Sequence, residues 1–170
     1  DHPEIAHDFT EVRLRSLRRL AVAADYPEHL AQEASDVFRA ARNRVTPFAD
    51  VADALHRLRD SYTLVSVTNG NSQIEKTPLN THFHHSLTAA EVGAAKPDPT
   101  IFRAASERSG QPLSAFLHVG DDPVRDIEAA RAIGVTTVWV NRYDMSWPAD
   151  LVPPDLEVAD VATLADHLMG

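Results

Sequence analysis

The spacing of apolar residues changes near residue 46 and divides the chain into two parts. Residues 9–24 carry apolar side chains at helical spacing with arginines on the outer face, and a second helical pattern runs from Pro27 to Arg44. Pro27 suits the first turn of that helix. Beyond residue 46, short apolar runs typical of buried strands alternate with amphipathic stretches.

The second part predicts a parallel sheet. Strands alternate with helices along it, an order that favours an α/β, Rossmann-like fold with helices on both faces of the sheet. The predicted strands are residues 62–67, 83–88, 116–119, 136–140 and 156–158, and the predicted helices are residues 48–60, 100–108, 123–133 and 160–169.

Composition narrows the classes of partner. The 170 residues are 44% hydrophobic and carry a formal net charge of −9, which argues against a nucleic acid or an anionic membrane bound through a broad basic surface. Cysteine is absent, so disulfides and thiolate metal sites are excluded. Neither a leader peptide nor an apolar run of about 20 residues is visible, and we expect a cytoplasmic protein.

Polar residues follow the first predicted strand at Thr68-Asn69-Gly70. The Thr68 hydroxyl can donate a hydrogen bond to a phosphate oxygen, and the backbone N–H groups after it can do the same. Asn-Gly is also a common turn pair, so this triplet alone does not decide between a ligand site and an ordinary turn.

A lysine precedes a helix start at Lys96-Pro97-Asp98-Pro99. Its ammonium group can reach a phosphate and offset repulsion between nearby carboxylates. By itself the segment fits equally a solvated lysine beside a helix entry.

Three carboxylates follow the strand at 116–119, in Gly120-Asp121-Asp122 and at Asp126. One aspartate would be an ordinary helix cap, but two adjacent acids repel each other unless a cation or a proton intervenes. A hard divalent ion, most simply Mg²⁺, accepts carboxylate oxygens and keeps room for water and phosphate. The carboxyl edge of a parallel sheet is also where ligands bind.

Taken in order, these three motifs resemble the second, third and fourth motifs of the haloacid dehalogenase-like (HAD) hydrolase superfamily. The segments 67–71 and 118–122 are especially similar to a bacterial subgroup of flavin mononucleotide (FMN) and 5-amino-6-(5-phospho-ribitylamino)uracil phosphatases. The resemblance implies a HAD-like α/β core at residues 46–170 and the later part of a helical cap at residues 1–45.

The resemblance also implies roles for the candidate residues. Thr68, Asn69 and Gly70 would hold a phosphoryl group, and Lys96 would neutralise charge around it. Asp121 would be the main acidic Mg²⁺ ligand, Asp122 would assist directly or through water, and Asp126 would orient Lys96 or a water molecule. The substrate would be a small phosphate monoester, hydrolysed through an aspartyl-phosphate intermediate.

One family motif is absent from the chain. No apolar strand runs into the Asp-x-Asp pattern that carries the nucleophile, and His7-Asp8-Phe9-Thr10 cannot replace it because polar residues precede it and a helix follows. Either an upstream segment is missing, which the non-methionine start favours, or a cleavage partner or a neighbouring chain supplies the strand. The chain alone is then predicted to be inactive, and its unpaired sheet edges would favour self-association.

Other interpretations remain open from the sequence. A haloacid dehalogenase shares the fold and needs no metal, and a non-catalytic binding or interaction module is the alternative from a different class. Arg15 and Arg19 could meet an anionic substrate, although a solvated helix face is the simpler interpretation. The group His82, His84 and His85 lacks the acid pair or cysteine that would complete a zinc site.

Overall fold

The computed structural model describes residues 3–170 and has the α/β architecture that the strand-and-helix order predicts. Its strands are β1 (Val65–Thr68), β2 (His85–Thr88), β3 (Leu117–Gly120), β4 (Thr136–Val140) and β5 (Leu156–Val158). Its helices are α1 (Phe9–Ala23), α2 (His29–Arg42), α3 (Val51–Arg59), α4 (Ala89–Val92), α5 (Thr100–Ser109), α6 (Ala129–Arg131) and α7 (Val161–Met169). No helix in this part of the chain is long and apolar enough to span a membrane.

The strands form two parallel sheets instead of one. β1 pairs with β2, and β4 lies between β3 and β5 in a three-stranded sheet. Within residues 3–170 no strand pairs with the other edge of β1 or of β3. The interruption falls where the sequence predicts that a strand is lacking.

Burial of the strands reflects this interruption. β4, with a neighbour on each side, buries Thr137, Val138 and Trp139. β1 has no fully buried residue, and Val119 of β3 is 37% exposed. A parallel strand with helices on both faces and a strand at each edge would be buried almost throughout. β1 and β3, which border the interruption, are therefore less buried than such a strand.

Apolar clusters hold the helices against the strands. One cluster joins α5 to the helix after β3 through Ile101, Phe102 and Ala130, and Val67 and Phe116 pack against it. A second joins α3 to α7 through Leu58 and Ala165. The sheets are therefore flanked by helices, as predicted.

An ion pair fastens the chain between α2 and α3 to the end of β4. Both carboxylate oxygens of Asp50 accept hydrogen bonds from Arg142 at 2.9 and 3.0 Å, and one also accepts from the Val161 backbone N–H at 3.0 Å. The Arg142 guanidinium lies 4.1 Å from the centre of the Phe48 ring. The hydrogen bonds from Arg142 hold the pKa of Asp50 below its ordinary value.

The helix predicted at 123–133 has an unusual first part. Pro123–Glu128 is a π-helical turn, and only Ala129–Arg131 is α-helical. The Asp122 carbonyl accepts from the N–H groups of both Asp126 and Ile127, at 3.0 and 3.3 Å. π-Helical turns are rare and occur often at functional sites.

Gly120 at the end of β3 has no room for a side chain. A Cβ built at this position would overlap Cγ, Oδ2 and Cβ of Asp126, a side chain from the π-helical turn that lies directly against the strand. Glycine is therefore required here by close approach and not by backbone conformation.

We expect Gly120→Ala to lower the free energy of unfolding by about 3 kcal/mol, because the new methyl group must displace the buried Asp126. Denaturant titration followed by circular dichroism measures the change. Gly110→Ala is the matched control, since its φ is +70° and no atom lies within 4 Å of the new Cβ, so that only a backbone cost of about 1 kcal/mol arises. Equal losses in the two variants would contradict the packing argument.

Candidate active site

The site lies where β1, β3 and the loop before α5 meet. Thr68 ends β1, Gly120 ends β3, and Lys96 precedes α5. The structure brings the three predicted motifs together, because Lys96 contacts residues that follow both strands. The carboxyl ends of the two strands therefore border one shared space, as expected for a ligand site in a parallel sheet.

Thr68 keeps a donor for a ligand. Its Oγ1 accepts a hydrogen bond from the Gly70 N–H at 2.9 Å, so the turn is closed by the lone pair of the hydroxyl. The hydroxyl proton is not used in that bond and remains available for an acceptor such as a phosphate oxygen. The Gly70 N–H, by contrast, is already engaged with Thr68.

Asn69 holds Lys96 by its backbone. The Asn69 amide oxygen accepts from the Lys96 N–H at 2.7 Å, and the amide nitrogen donates to the Lys96 carbonyl at 2.8 Å. Such a two-point contact fixes the loop before α5 against the end of β1. The sequence suggested Asn69 as a phosphoryl ligand, whereas this geometry makes it a positioning residue for Lys96.

The Lys96 ammonium lies between the two sheets. Its Nζ donates to Asp126 Oδ1 at 2.6 Å and to the Val67 carbonyl at 3.2 Å. Only 12% of the Lys96 side chain and 6% of the Asp126 side chain are exposed. An unpaired charge at this depth would be costly, and the two opposite charges compensate each other.

Both carboxylate oxygens of Asp126 have hydrogen-bond partners. Its Oδ1 also accepts from His118 Nε2 at 3.2 Å, and its Oδ2 accepts from the Asp122 backbone N–H at 3.0 Å. Burial alone would raise the pKa of the Asp126 carboxyl. The hydrogen bond from His118 and the charge of Lys96 outweigh that effect and hold its pKa well below the ordinary value.

The two adjacent acids have different environments. Asp122 Oδ1 caps the following helix by accepting from Val124 N and Arg125 N at 3.0 and 2.8 Å, and its Oδ2 lies 3.3 Å from Arg125 Nη1. Asp121 is exposed, and its backbone carbonyl accepts from Trp139 Nε1 at 3.0 Å. No side-chain hydrogen bond or ion pair engages the Asp121 carboxylate within residues 3–170.

Asp121 and Asp122 fit a Mg²⁺ ion that is bound by only one or two protein side chains. No group of three or more His, Cys, Asp or Glu side chains converges on a metal position in the described part of the chain. Mg²⁺ commonly binds through one or two carboxylates together with water and substrate phosphate. Asp121 can supply one such carboxylate, while the capping bonds of Asp122 leave it better placed to act through water than directly.

Two supporting residues were not identified from the sequence. His118 contacts Asp126 on one side and the Phe102 ring on the other, edge to face at 4.9 Å between ring centres. Trp139 donates from Nε1 to the Asp121 carbonyl and so fixes the backbone of the loop after β3. His118 lies two residues before Gly120, and residues at that spacing in a strand share one face. The spacing is therefore the sequence signal that His118 faces the π-helical turn.

The weaker sequence candidates lie elsewhere or are already engaged. Arg15 pairs with Glu11 on its own helix at 2.7 Å, as a solvated helix face would. His84 Nδ1 accepts from the Leu64 backbone N–H at 3.0 Å, which gives this histidine a structural contact.

Comparison with known proteins identifies the family. A family model described as haloacid dehalogenase-like hydrolase matches residues 1–134. The 5-amino-6-(5-phospho-D-ribitylamino)uracil phosphatase YigB of Escherichia coli (strain K12) is 32% identical over 173 residues, covering 95% of this chain and 71% of that protein. A phosphoserine phosphatase of Thermus thermophilus is 32% identical over 148 residues, covering 84% of this chain and 59% of that protein.

Solved structures give the same assignment. The crystal structure of 2-haloacid dehalogenase from Pseudomonas syringae pv. Tomato DC3000 matches with a TM-score of 0.92 at 33% sequence identity, covering 98% of this chain and 74% of that one. The matches thus include phosphatases and a dehalogenase, and both the sequence and the fold agree with the motif resemblance. This chain belongs to the haloacid dehalogenase-like hydrolases.

Proposed function

We propose that this protein is a Mg²⁺-dependent phosphatase that hydrolyses a small phosphate monoester through an aspartyl-phosphate intermediate, with the nucleophilic aspartate outside residues 1–170. The observation that carries the proposal is that Lys96 joins the ends of β1 and β3, where Thr68 has an unused hydroxyl proton and Asp121 has a carboxylate without a side-chain partner in residues 3–170. Phosphoryl transfer depends mainly on positioning and charge neutralisation, and these groups supply both.

Each residue of the chain has a defined part in this proposal. Thr68 donates to an oxygen of the phosphoryl group, and Lys96 neutralises negative charge beside it. Asp126 orients the Lys96 ammonium through an ion pair, while Asn69 fixes the Lys96 backbone. When bound beside Asp121, Mg²⁺ would offset the charge of the phosphate and of the carboxylates around it.

The name of one relative supports a choice of substrate class. The name of the YigB protein gives it a phosphorylated ribityl compound as substrate. We propose the same class for this chain, an FMN-like or sugar-phosphate ester.

A metal-independent haloacid dehalogenase is the second candidate, because the Pseudomonas syringae structure with a TM-score of 0.92 is named a 2-haloacid dehalogenase. The pair Asp121-Asp122 argues against it, since a site that needs no cation has no use for an unengaged acid beside another acid. A non-catalytic module remains the alternative from another class, supported by the divided sheet.

The coding sequence upstream of Asp1 tests the proposal directly. We expect an apolar strand that ends in Asp-x-Asp, and Mg²⁺-dependent release of phosphate from FMN by the protein that contains it. An upstream sequence without that strand would favour the non-catalytic module.

The 170-residue chain by itself is expected to release no phosphate from FMN or p-nitrophenyl phosphate in the presence of Mg²⁺, because it lacks the attacking carboxylate. A phosphate-release assay compares it with Asp121→Ala. A rate in the wild-type chain that disappears in Asp121→Ala would overturn this prediction.

Mg²⁺ is expected to shift the amide NMR signals of residues 120–122, and Asp121→Asn should abolish the shifts. Asp122→Asn, the matched control, should retain them and instead lower the free energy of unfolding by about 1 kcal/mol or less, because the helix cap is weakened. Unchanged Mg²⁺ shifts in Asp121→Asn would show that Asp121 is not the metal ligand.

A further inference from the structure

We propose that Arg42, at the end of α2, is a second cationic ligand for the phosphoryl group in addition to Lys96. The inference rests on the proposed function and extends it, because it makes the helices α1 and α2 part of the phosphate site. It also specifies a ligand with the charge and geometry of phosphate.

The position of Arg42 follows from the space beside Gly70. A Cβ built on Gly70 would lie 3.1 Å from Thr68 Oγ1 and 3.8 Å from Arg42 Nη2. The guanidinium and the free hydroxyl of Thr68 therefore border the same opening. The absence of a side chain at residue 70 leaves that opening accessible.

Hydrogen bonds fix the end of α2 to the loop after Gly70. Ser72 Oγ donates to the Arg42 carbonyl at 3.1 Å, and the Gln73 N–H donates to Asn43 Oδ1 at 2.9 Å. Asn43 is buried, with 8% of its surface exposed. Asn71 Nδ2 adds a long contact to Thr10 Oγ1 of α1 at 3.4 Å. The approach of Arg42 is thus set by a docked helix end and not by its side chain alone.

The charge of Arg42 is available for a ligand. Within residues 3–170 its guanidinium has no carboxylate within 4 Å, whereas Arg39 on the same last turn of α2 pairs with Asp36 at 2.9 Å. The side of α2 that carries Arg42 also carries Phe38, one turn earlier. The Arg13 guanidinium of α1 lies 3.6 Å from the centre of the Phe38 ring, so this face of the helix pair is cationic.

Two cations on one opening favour a particular anion. The planar fork of a guanidinium binds two oxygens of one phosphate, and the ammonium of Lys96 adds a point charge. Lys96 already has a counter-charge in Asp126, so the difference lies in the number of acceptors. A phosphate group offers three oxygens to Arg42, Lys96 and Thr68, whereas a carboxylate offers two. The arrangement therefore selects a phosphate ester over a haloacid.

The test is a titration of inorganic phosphate, with Mg²⁺ present, into the 170-residue chain, followed through the amide NMR signals of residues 68–70. Arg42→Gln is expected to raise the phosphate Kd roughly ten-fold or more, because a hydrogen bond between charged groups is lost. Arg42→Lys should recover part of the affinity, since it keeps the charge without the fork. Arg39→Gln is the matched control: it removes the same charge from the same helical turn and should leave the Kd unchanged.

The outcomes separate this inference from the proposed function. If Thr68→Val and Lys96→Ala weaken phosphate binding but Arg42→Gln binds as the wild type does, the role of Arg42 is wrong and the phosphatase proposal stands. If the wild-type chain binds no phosphate at residues 68–70, or if Thr68→Val and Lys96→Ala bind it unchanged, both are wrong. A parallel titration with acetate should show weaker binding, and acetate affinity equal to that of phosphate would overturn the selection for a phosphate ester.

Discussion

The buried ion pair between Lys96 and Asp126 is the interaction on which the site depends. It joins the two sheets at the place where no strand of residues 3–170 pairs them, since Lys96 also bonds to the end of β1 and Asp126 packs on the end of β3. Removing one partner of such a pair leaves an uncompensated charge, at a cost of about 3–5 kcal/mol. The surrounding residues support this pair: Asn69 fixes the backbone of Lys96, and His118 and the Asp122 N–H add further hydrogen bonds to the Asp126 carboxylate.

The buried ion pair explains why the three aspartates after β3 have different roles. Asp126 is engaged by Lys96, His118 and the Asp122 N–H, and Asp122 is occupied as a helix cap. Asp121 is left as the exposed acid directly after the end of β3. Arg42 adds a cation from the end of α2. The site then combines residues from the strand ends and the loop before α5 with one residue from a helix.

The fold was largely predictable because its pattern is repetitive. β4 and β5 have the predicted bounds, 136–140 and 156–158, since short apolar runs between turn residues leave little choice of strand. The helix after β3 was predicted as regular, and it begins instead with a π-helical turn. Apolar spacing does not distinguish a π turn from an α turn over six residues. The wider turn becomes visible only through the paired hydrogen bonds to the Asp122 carbonyl.

The sequence by itself determined the α/β class, the three motifs and the absence of a nucleophile strand, because these depend on residue type and order along the chain. Only the tertiary structure decided which role each of the three aspartates has. Asp121, Asp122 and Asp126 are chemically alike, and only their neighbours in space, which come from residues as distant as Lys96 and Trp139, make one free, one a cap and one half of an ion pair. The same holds for Arg42, because its distance from Gly70 is set by the packing of α2 and not by anything in its local sequence.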